Sequence, residues 1–227
     1  MKRILFLLFF YSTLLFANTH APLVTAHIQN KITPDEVMHR LIIGNERFTT
    51  NQRHKIDYLK KARISADKQH PVAIVLSCID SRVPPEIIFD QNVGNIFVTR
   101  VAANVVNQDV LGGMEYATHV TGAKLIVVLG HESCGAIKGA CENVRLGNLT
   151  QLLNKIQPAI HEAENTLGKK DCHDSNLINL AAEDNVRHVI NEIPKESPVI
   201  AQLVKSGEIE IVGAMYHLST GKVSFLK

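Results

Sequence analysis

Val72-Ala73-Ile74-Val75-Leu76-Ser77-Cys78-Ile79-Asp80-Ser81-Arg82 is the stretch on which the reading of this chain turns. An unbroken apolar run ends abruptly in a thiol, a carboxylate, a hydroxyl and a guanidinium. A continuous run of strand formers, without polar alternation, is the pattern of a strand buried on both faces, as in a parallel sheet. In open parallel sheets the chemistry sits just beyond the carboxyl ends of the strands, which is where Cys78, Asp80 and Arg82 fall. The same grammar returns at Leu125-Ile126-Val127-Val128-Leu129-Gly130, followed at once by His131-Glu132-Ser133-Cys134-Gly135. Two buried strands, each ending in soft metal ligands, organise the rest.

Working outward, Thr33-Pro34-Asp35-Glu36 opens a helix, with Thr33 as N-cap, Pro34 in the first turn and Glu36 closing a capping box. A basic amphipathic segment runs from Ile56 to about Ala66. Pro84-Pro85 starts a short helix through Phe89. Asn95 to Arg100 reads as a second strand, and Leu111 to Val120 as a helix before the Leu125 strand. Helices are expected from Ala136 to Val144, from Leu149 to Ala163 with Pro158 inside it, and from Leu177 to Ile193, ended by Pro194. Ser197-Pro198 caps another. Ile209 to Ala214 is a last core strand, and Thr220-Gly221 turns into a short terminal one from Val223 to Leu226. Strand and helix alternate throughout, which predicts an α/β fold: a mainly parallel central sheet flanked by helices, with an N-terminal helical arm.

Length and composition leave one domain as the default: 227 residues bury a full core, and 45% hydrophobic with 20% charged residues is ordinary for a globular protein. Met1-Lys2-Arg3, a 13-residue largely apolar run from Ile4 to Phe16, and then small and polar residues form a secretory signal layout. Candidate cleavage points follow Ala17, Ala21 and Ala26, with Val24-Thr25-Ala26 the preferred pattern. Residues 1–26 are therefore expected as leader and 27–227 as a single exported, periplasmic domain. Lys2 and Arg3 supply the whole net charge of +2, so the mature protein is formally neutral. A neutral chain without Trp offers no footprint for nucleic acid, and no other segment looks membrane-spanning.

Export would make two disulfides the first reading of four cysteines. Cys78 and Cys134, however, sit at strand ends beside a histidine, a metal-site setting. Cys78, His131 and Cys134 supply three zinc donors and leave a position open, which is the arrangement of a catalytic site. Cys141 lies two helical turns past Cys134, too far to close the shell. Asp80 is near enough to Cys78 to take the fourth position or to accept a hydrogen bond from a zinc-bound water. Arg82, on the same face of extended chain, can hold Asp80 in a bidentate pair and keep it ionised. Cys141 and Cys172 are left to form a disulfide or to stay free. A competing reading makes the chain a non-enzymatic zinc or disulfide protein with a Cys78–Cys134 bond.

Cys78-Ile79-Asp80-Ser81-Arg82 with His131-Glu132-Ser133-Cys134-Gly135 resembles the β-class carbonic anhydrases. The segment Phe89 to Arg100, Gly113-Met114-Glu115-Tyr116-Ala117 and the closing Ile211 to Val223 are similar to that family too. The resemblance implies one zinc per subunit on Cys78, His131 and Cys134, with Asp80 and Arg82 as the catalytic dyad. It implies reversible hydration of carbon dioxide to bicarbonate by zinc-bound hydroxide. It implies substrate contacts from Gln69, reaching across a dimer interface, from Phe97 and Tyr116 as pocket walls, and from the Gly135 backbone. The assembly it implies is a homodimer or higher even oligomer. The chain departs from the family at Val101 and Ala102, in the loop after the second strand, where many members carry larger or polar residues. That departure keeps hydrolysis of carbonyl sulfide or carbon disulfide on the same scaffold as an alternative.

Overall fold

The computed structural model describes residues 23–226. The expected leader therefore lies, up to residue 22, outside the described residues. Thr25 caps the first helix, α1 (Ala26–Lys31), and its neighbour Val24 is buried and donates its N–H to Asn95 Oδ1 at 3.0 Å. The arm continues in α2 (Pro34–Thr49), where the capping box forms as its residues dictate: Thr33 Oγ1 accepts from the Glu36 N–H and Glu36 Oε2 accepts from the Thr33 N–H. The basic α3 (Tyr58–Ile64) buries none of its side chains.

The core alternates strand and helix: β1 (Ala73–Ser77), α4 (Pro85–Ile88), β2 (Ile96–Arg100), α5 (Gln108–Glu115), which runs on into a π-helical turn Tyr116–Val120, and β3 (Leu125–His131). Then follow α6 (Gly135–Cys141), α7 (Gly147–Asn154), α8 (Gln157–Leu167), α9 (Ser175–Glu196), α10 (Pro198–Lys205), β4 (Glu210–Tyr216) and β5 (Val223–Phe225). The sheet order is β2-β1-β3-β4-β5, with the first four strands parallel and β5 antiparallel to β4. Every residue of β1 and β3 is buried, the condition their continuous apolar runs call for. No helix among the described residues is long and apolar enough to cross a membrane.

Strand alternation splits the core in two. Ile74, Leu76, Ile126 and Val128 face the layer of α5, α6, α8, α9 and α10. Ala73, Val75, Leu125 and Val127 face the smaller layer holding α2 and α4. Glycines permit two close approaches, of α9 to β3 and of α2 to the end of α4. A Cβ on Gly130 would lie 2.6 Å from Val186 Cγ2, and one on Gly44 1.9 Å from the Phe89 carbonyl oxygen.

Two local expectations need correction, and a third point is settled. The segment Leu149 to Ala163 is two helices, α7 and α8, with Pro158 in the first turn of the second; a proline has no N–H to give, so it begins a helix more readily than it sits inside one. Pro194 lies inside α9, near its end, and the helix continues to Glu196. Cys141 and Cys172, left open by sequence, form a disulfide with a Cα–Cα distance of 5.7 Å that ties the end of α6 to the loop before α9.

Candidate metal centre

The carboxyl ends of β1, β2 and β3 converge because the strands are parallel and neighbouring, with Ser77 opposite Arg100 on one side and Leu129 on the other. One residue past β1, Cys78 is buried; His131 ends β3, and Cys134 is the N-cap of α6. Their ligand atoms all lie within 4.8 Å of one another, and the two sulfurs are 4.0 Å apart. A tetrahedral zinc with Zn–S of about 2.3 Å would set its two sulfurs about 3.8 Å apart, so the spacing fits. The histidine is aimed for the same purpose. Its Nδ1 donates to the Glu132 carbonyl at 2.8 Å, leaving Nε2 of the neutral ring as an acceptor that is buried and has no hydrogen-bond partner among the described residues. A buried acceptor without a partner is costly, and a cation between the sulfurs would satisfy it.

Strained loops carry these ligands. Ala103 and Asn104, in the short helical turn Ala102–Asn104, have φ of 54° and 46°, values that side-chain-bearing residues seldom adopt. The turn brings the Ala103 N–H to 3.3 Å from Cys78 Sγ, while Asn185 on α9 donates to the Ala103 carbonyl at 2.8 Å. Ser133, between the two ligands of the second motif, has φ of 52° and gives its N–H to Asn179 Oδ1 at 2.9 Å. Arg100 ends β2 and donates to the carbonyls of Cys78 and Asp80. Behind His131, the Glu132 carboxylate meets His217 Nδ1 at 2.7 Å, and His217 Nε2 meets Ser224 Oγ at 3.0 Å. The end of the sheet thus braces the metal side.

Asp80 is held away from the sulfurs. Arg82 donates Nε to Oδ1 at 2.9 Å, Nη2 to Oδ2 at 2.7 Å, and its backbone N–H to Oδ1 at 2.9 Å. The Arg82 side-chain hydrogen bonds, outweighing burial, pull the Asp80 carboxyl down to about 2. Its Oδ2 lies 4.0 Å from His131 Nε2, so an ionised acceptor stands beside the donor set without entering it. The Cys78 thiol is lowered first by hydrogen bonding with Cys134, against burial, then by His131 and backbone N–H groups; the Cys134 thiol is raised by the same contact and by burial. Burial opposes a charge on His131, but the adjoining Cys78 thiolate outweighs it and raises the imidazole. One thiol of the pair is thus driven toward thiolate and the other toward the protonated form.

An open, mostly apolar cleft of about 490 Å³ leads away from the cluster, lined by Cys78, Asp80, Ala102, Gly135, Gly139 and Leu149 among others. The chain therefore brings together the three ligands, Asp80, Arg82 and Gly135. It sets the other three sequence-predicted residues apart from the cleft. Gln69 is exposed, beside Ser65, His70 and Gly94. Phe97, on β2, packs edge-on to Tyr116 with centroids 6.2 Å apart, and Tyr116 is half exposed. Sequence reasoning passed over Arg100, although it ends a strand just as His131 does. Asn179 and Asn185 gave no signal on a long helix.

The carbonic anhydrase family model matches residues 73–223. The chain is 36% identical to a carbonic anhydrase of Mycolicibacterium smegmatis over 186 residues, covering 79% of this chain and 87% of that protein. It is 34% identical to carbonic anhydrase 2 of Mycobacterium tuberculosis over 185 residues, 79% and 86% of the two chains. Its backbone is similar to a β-carbonic anhydrase of Aspergillus fumigatus, with a TM-score of 0.67 and 25% identity over 75% of this chain and 82% of that one. It is similar also to tetrameric β-carbonic anhydrases of Sordaria macrospora, with a TM-score of 0.66 and 25% identity over 84% and 96%. Sequence, backbone and the cluster at the strand ends agree, and the chain belongs to the β-class carbonic anhydrases.

Proposed function

We propose that this carbonic anhydrase hydrates carbon dioxide reversibly with one zinc per subunit on Cys78, His131 and Cys134, and with Asp80 and Arg82 as its catalytic dyad. The observation that carries the reading is the buried, unpartnered His131 Nε2 facing two sulfurs 4.0 Å apart, with the Asp80 carboxylate alongside. Zinc bound there would supply the Lewis acidity that brings the pKa of water to about 7. Asp80 accepts a hydrogen bond from the attacking water and fixes its orientation. Arg82 occupies both Asp80 oxygens, so the carboxylate stays ionised and keeps its aim. Ala102, Gly135 and Leu149 give carbon dioxide a mainly apolar approach, where a nonpolar linear molecule displaces little bound water. Gln69 reaches the substrate from a neighbouring subunit of an even oligomer, and Phe97 and Tyr116 form walls of the substrate pocket.

The test is metal analysis paired with stopped-flow hydration across pH 6 to 9, run on the same preparation. One zinc per chain and turnover lost on chelation support the reading. Faster turnover of carbonyl sulfide than of carbon dioxide would overturn the substrate assignment. We propose export as well. The leader-like N-terminus and the Cys141–Cys172 bond both favour an oxidising compartment. Because Val24 and Thr25 are built into the fold, a cut after Ala17 or Ala21 preserves contacts that a cut after Ala26 removes.

A further inference from the structure

On the side of the sheet away from α9, α2 crosses the loop that joins α4 to β2, and the crossing leaves a pocket of about 320 Å³. Gly44 allows the close approach, since a Cβ there would meet the Phe89 carbonyl. The pocket is lined by His39, Arg40, Arg47, His54, Asp90 and Gln91, with Ile43 beside them. Its charges do not balance. Among the described residues Asp90 is the one carboxylate lining it, and that carboxylate is already engaged: Oδ2 takes Arg47 Nε at 2.6 Å, and the His54 backbone N–H lies 3.3 and 3.2 Å from Oδ1 and Oδ2.

Arg40 is left with a neutral partner. Its Nε donates to Gln91 Oε1 at 3.1 Å, and among the described residues no carboxylate makes an ion pair with it. Gln91 is 2% exposed and is pinned by its own amide, which donates to the Phe89 carbonyl at 2.7 Å. The guanidinium is thus held in place by a rigid, uncharged group and not drawn there by an opposite charge. Burial first, and the Arg47 charge second, lower the pKa of Arg40 from its ordinary value, the mark of a cation with too little compensation. Two arginines against one spent carboxylate leave one positive charge over, even with both imidazoles neutral. A guanidinium with free N–H donors and a second one beside it matches the oxygen edge of a small anion.

We propose that this pocket binds a small oxyanion, anchored by Arg40 and flanked by Arg47 and His39 on α2 and by His54 in the loop that follows it. The site is separate from the metal cluster and does not rest on the proposed reaction. Its ligand chemistry is that of phosphate, sulfate or bicarbonate, and the experiment distinguishes a mineral anion from the reaction's own product. Zinc-replete protein is titrated calorimetrically with inorganic phosphate, and in a second arm with bicarbonate, at chloride-balanced ionic strength. One site per chain with a dissociation constant in the low millimolar range is expected for at least one anion, weakened tenfold or more in Arg40→Gln. A stronger phosphate signal identifies a mineral ligand, and a stronger bicarbonate signal identifies the product. Heat that is absent in both arms, or unchanged in Arg40→Gln, overturns the proposal. Should Arg40→Gln fold poorly, thermal unfolding of the unaltered protein decides. Ten millimolar anion against matched chloride should raise Tm by roughly 2 to 5 °C, and no rise with either anion refutes the site.

Discussion

The role proposed for Asp80 depends on Arg82, which donates to both of its oxygens. Arg82 holds it ionised at any pH above about 4, given a carboxyl pulled to about 2, so the acid side of the hydration profile should not titrate with it between pH 6 and 9. Asp80→Asn keeps the shape, loses the charged acceptor, and should cut kcat/KM by about 10² to 10⁴, with zinc content unchanged by metal analysis. Undiminished turnover would take Asp80 out of the mechanism. Asp184 on α9 is the opposite case. It is buried with Oδ2 unpartnered among the described residues, and burial, then Glu162 and Glu183, push its carboxyl up to about 6. The unfolded chain ionises it near 4, so the folded protein holds the extra proton between about pH 4 and 6. Stability contributed by the protonated form is present at low pH and lost as the pH rises through 6. Asp184→Asn should therefore gain about 1 kcal/mol at pH 8, after allowance for solvent screening, and nothing at pH 4. Urea unfolding at the two pH values reads the difference. Of these residues only Asp80 was legible in sequence, because its spacing from Cys78 and Arg82 carries meaning. A carboxylate on a helix looks the same whether water or a neighbouring helix covers it.

Among the elements, α6 joins two jobs, since it begins one residue after the ligand Cys134 and ends at the disulfide-bonded Cys141. The bond to Cys172 closes a loop across a sequence separation of 31, worth about 3 to 4 kcal/mol on the chain-entropy account. Cys172→Ser should lose that much in urea unfolding, and the variant should release zinc to a chelator faster because the ligand helix is no longer anchored. Gly130→Ala tests the other contact with the site, where α9 presses on β3. The added Cβ meets Val186 and Met215 side chains, and overpacking of this kind costs about 1 to 3 kcal/mol. The sheet itself was readable because buried parallel strands write themselves as unbroken apolar runs. The helix boundaries were less so. Pro158 is equally at home in a first turn or as a blemish by pattern alone, and the turn at Ala103 and Asn104 holds positive φ with no glycine to announce it. That turn exists because Asn185 and Cys78, from distant parts of the chain, hold both sides of Ala103.

At the scale of the molecule, Cys78, His131 and Cys134 come together within one chain, while Gln69, Phe97 and Tyr116 stand apart from their cleft. Gln69 is exposed, Tyr116 and Val120 are 52% and 67% exposed, and β2 is an unpaired sheet edge. Light scattering should return an even multiple of the chain mass. Gln69→Ala should lower kcat/KM about tenfold with zinc and assembly intact; a fully active monomer would contradict the arrangement. The four cysteines carry a consequence of another kind. Cys134 and Cys141 are closest in sequence, while the thiols of Cys78 and Cys134 are 4.0 Å apart in the folded chain; neither pair is the Cys141–Cys172 bond. A chain that enters an oxidising compartment unfolded exposes every thiol to the same oxidant, and four thiols permit three complete pairings. On the proposed export and zinc site, an ion that arrived first would withdraw two of the four and leave a single pairing for the remainder. Its timing would then govern the yield of correctly bonded protein, and the proposed ion would act as a protecting group before any reaction.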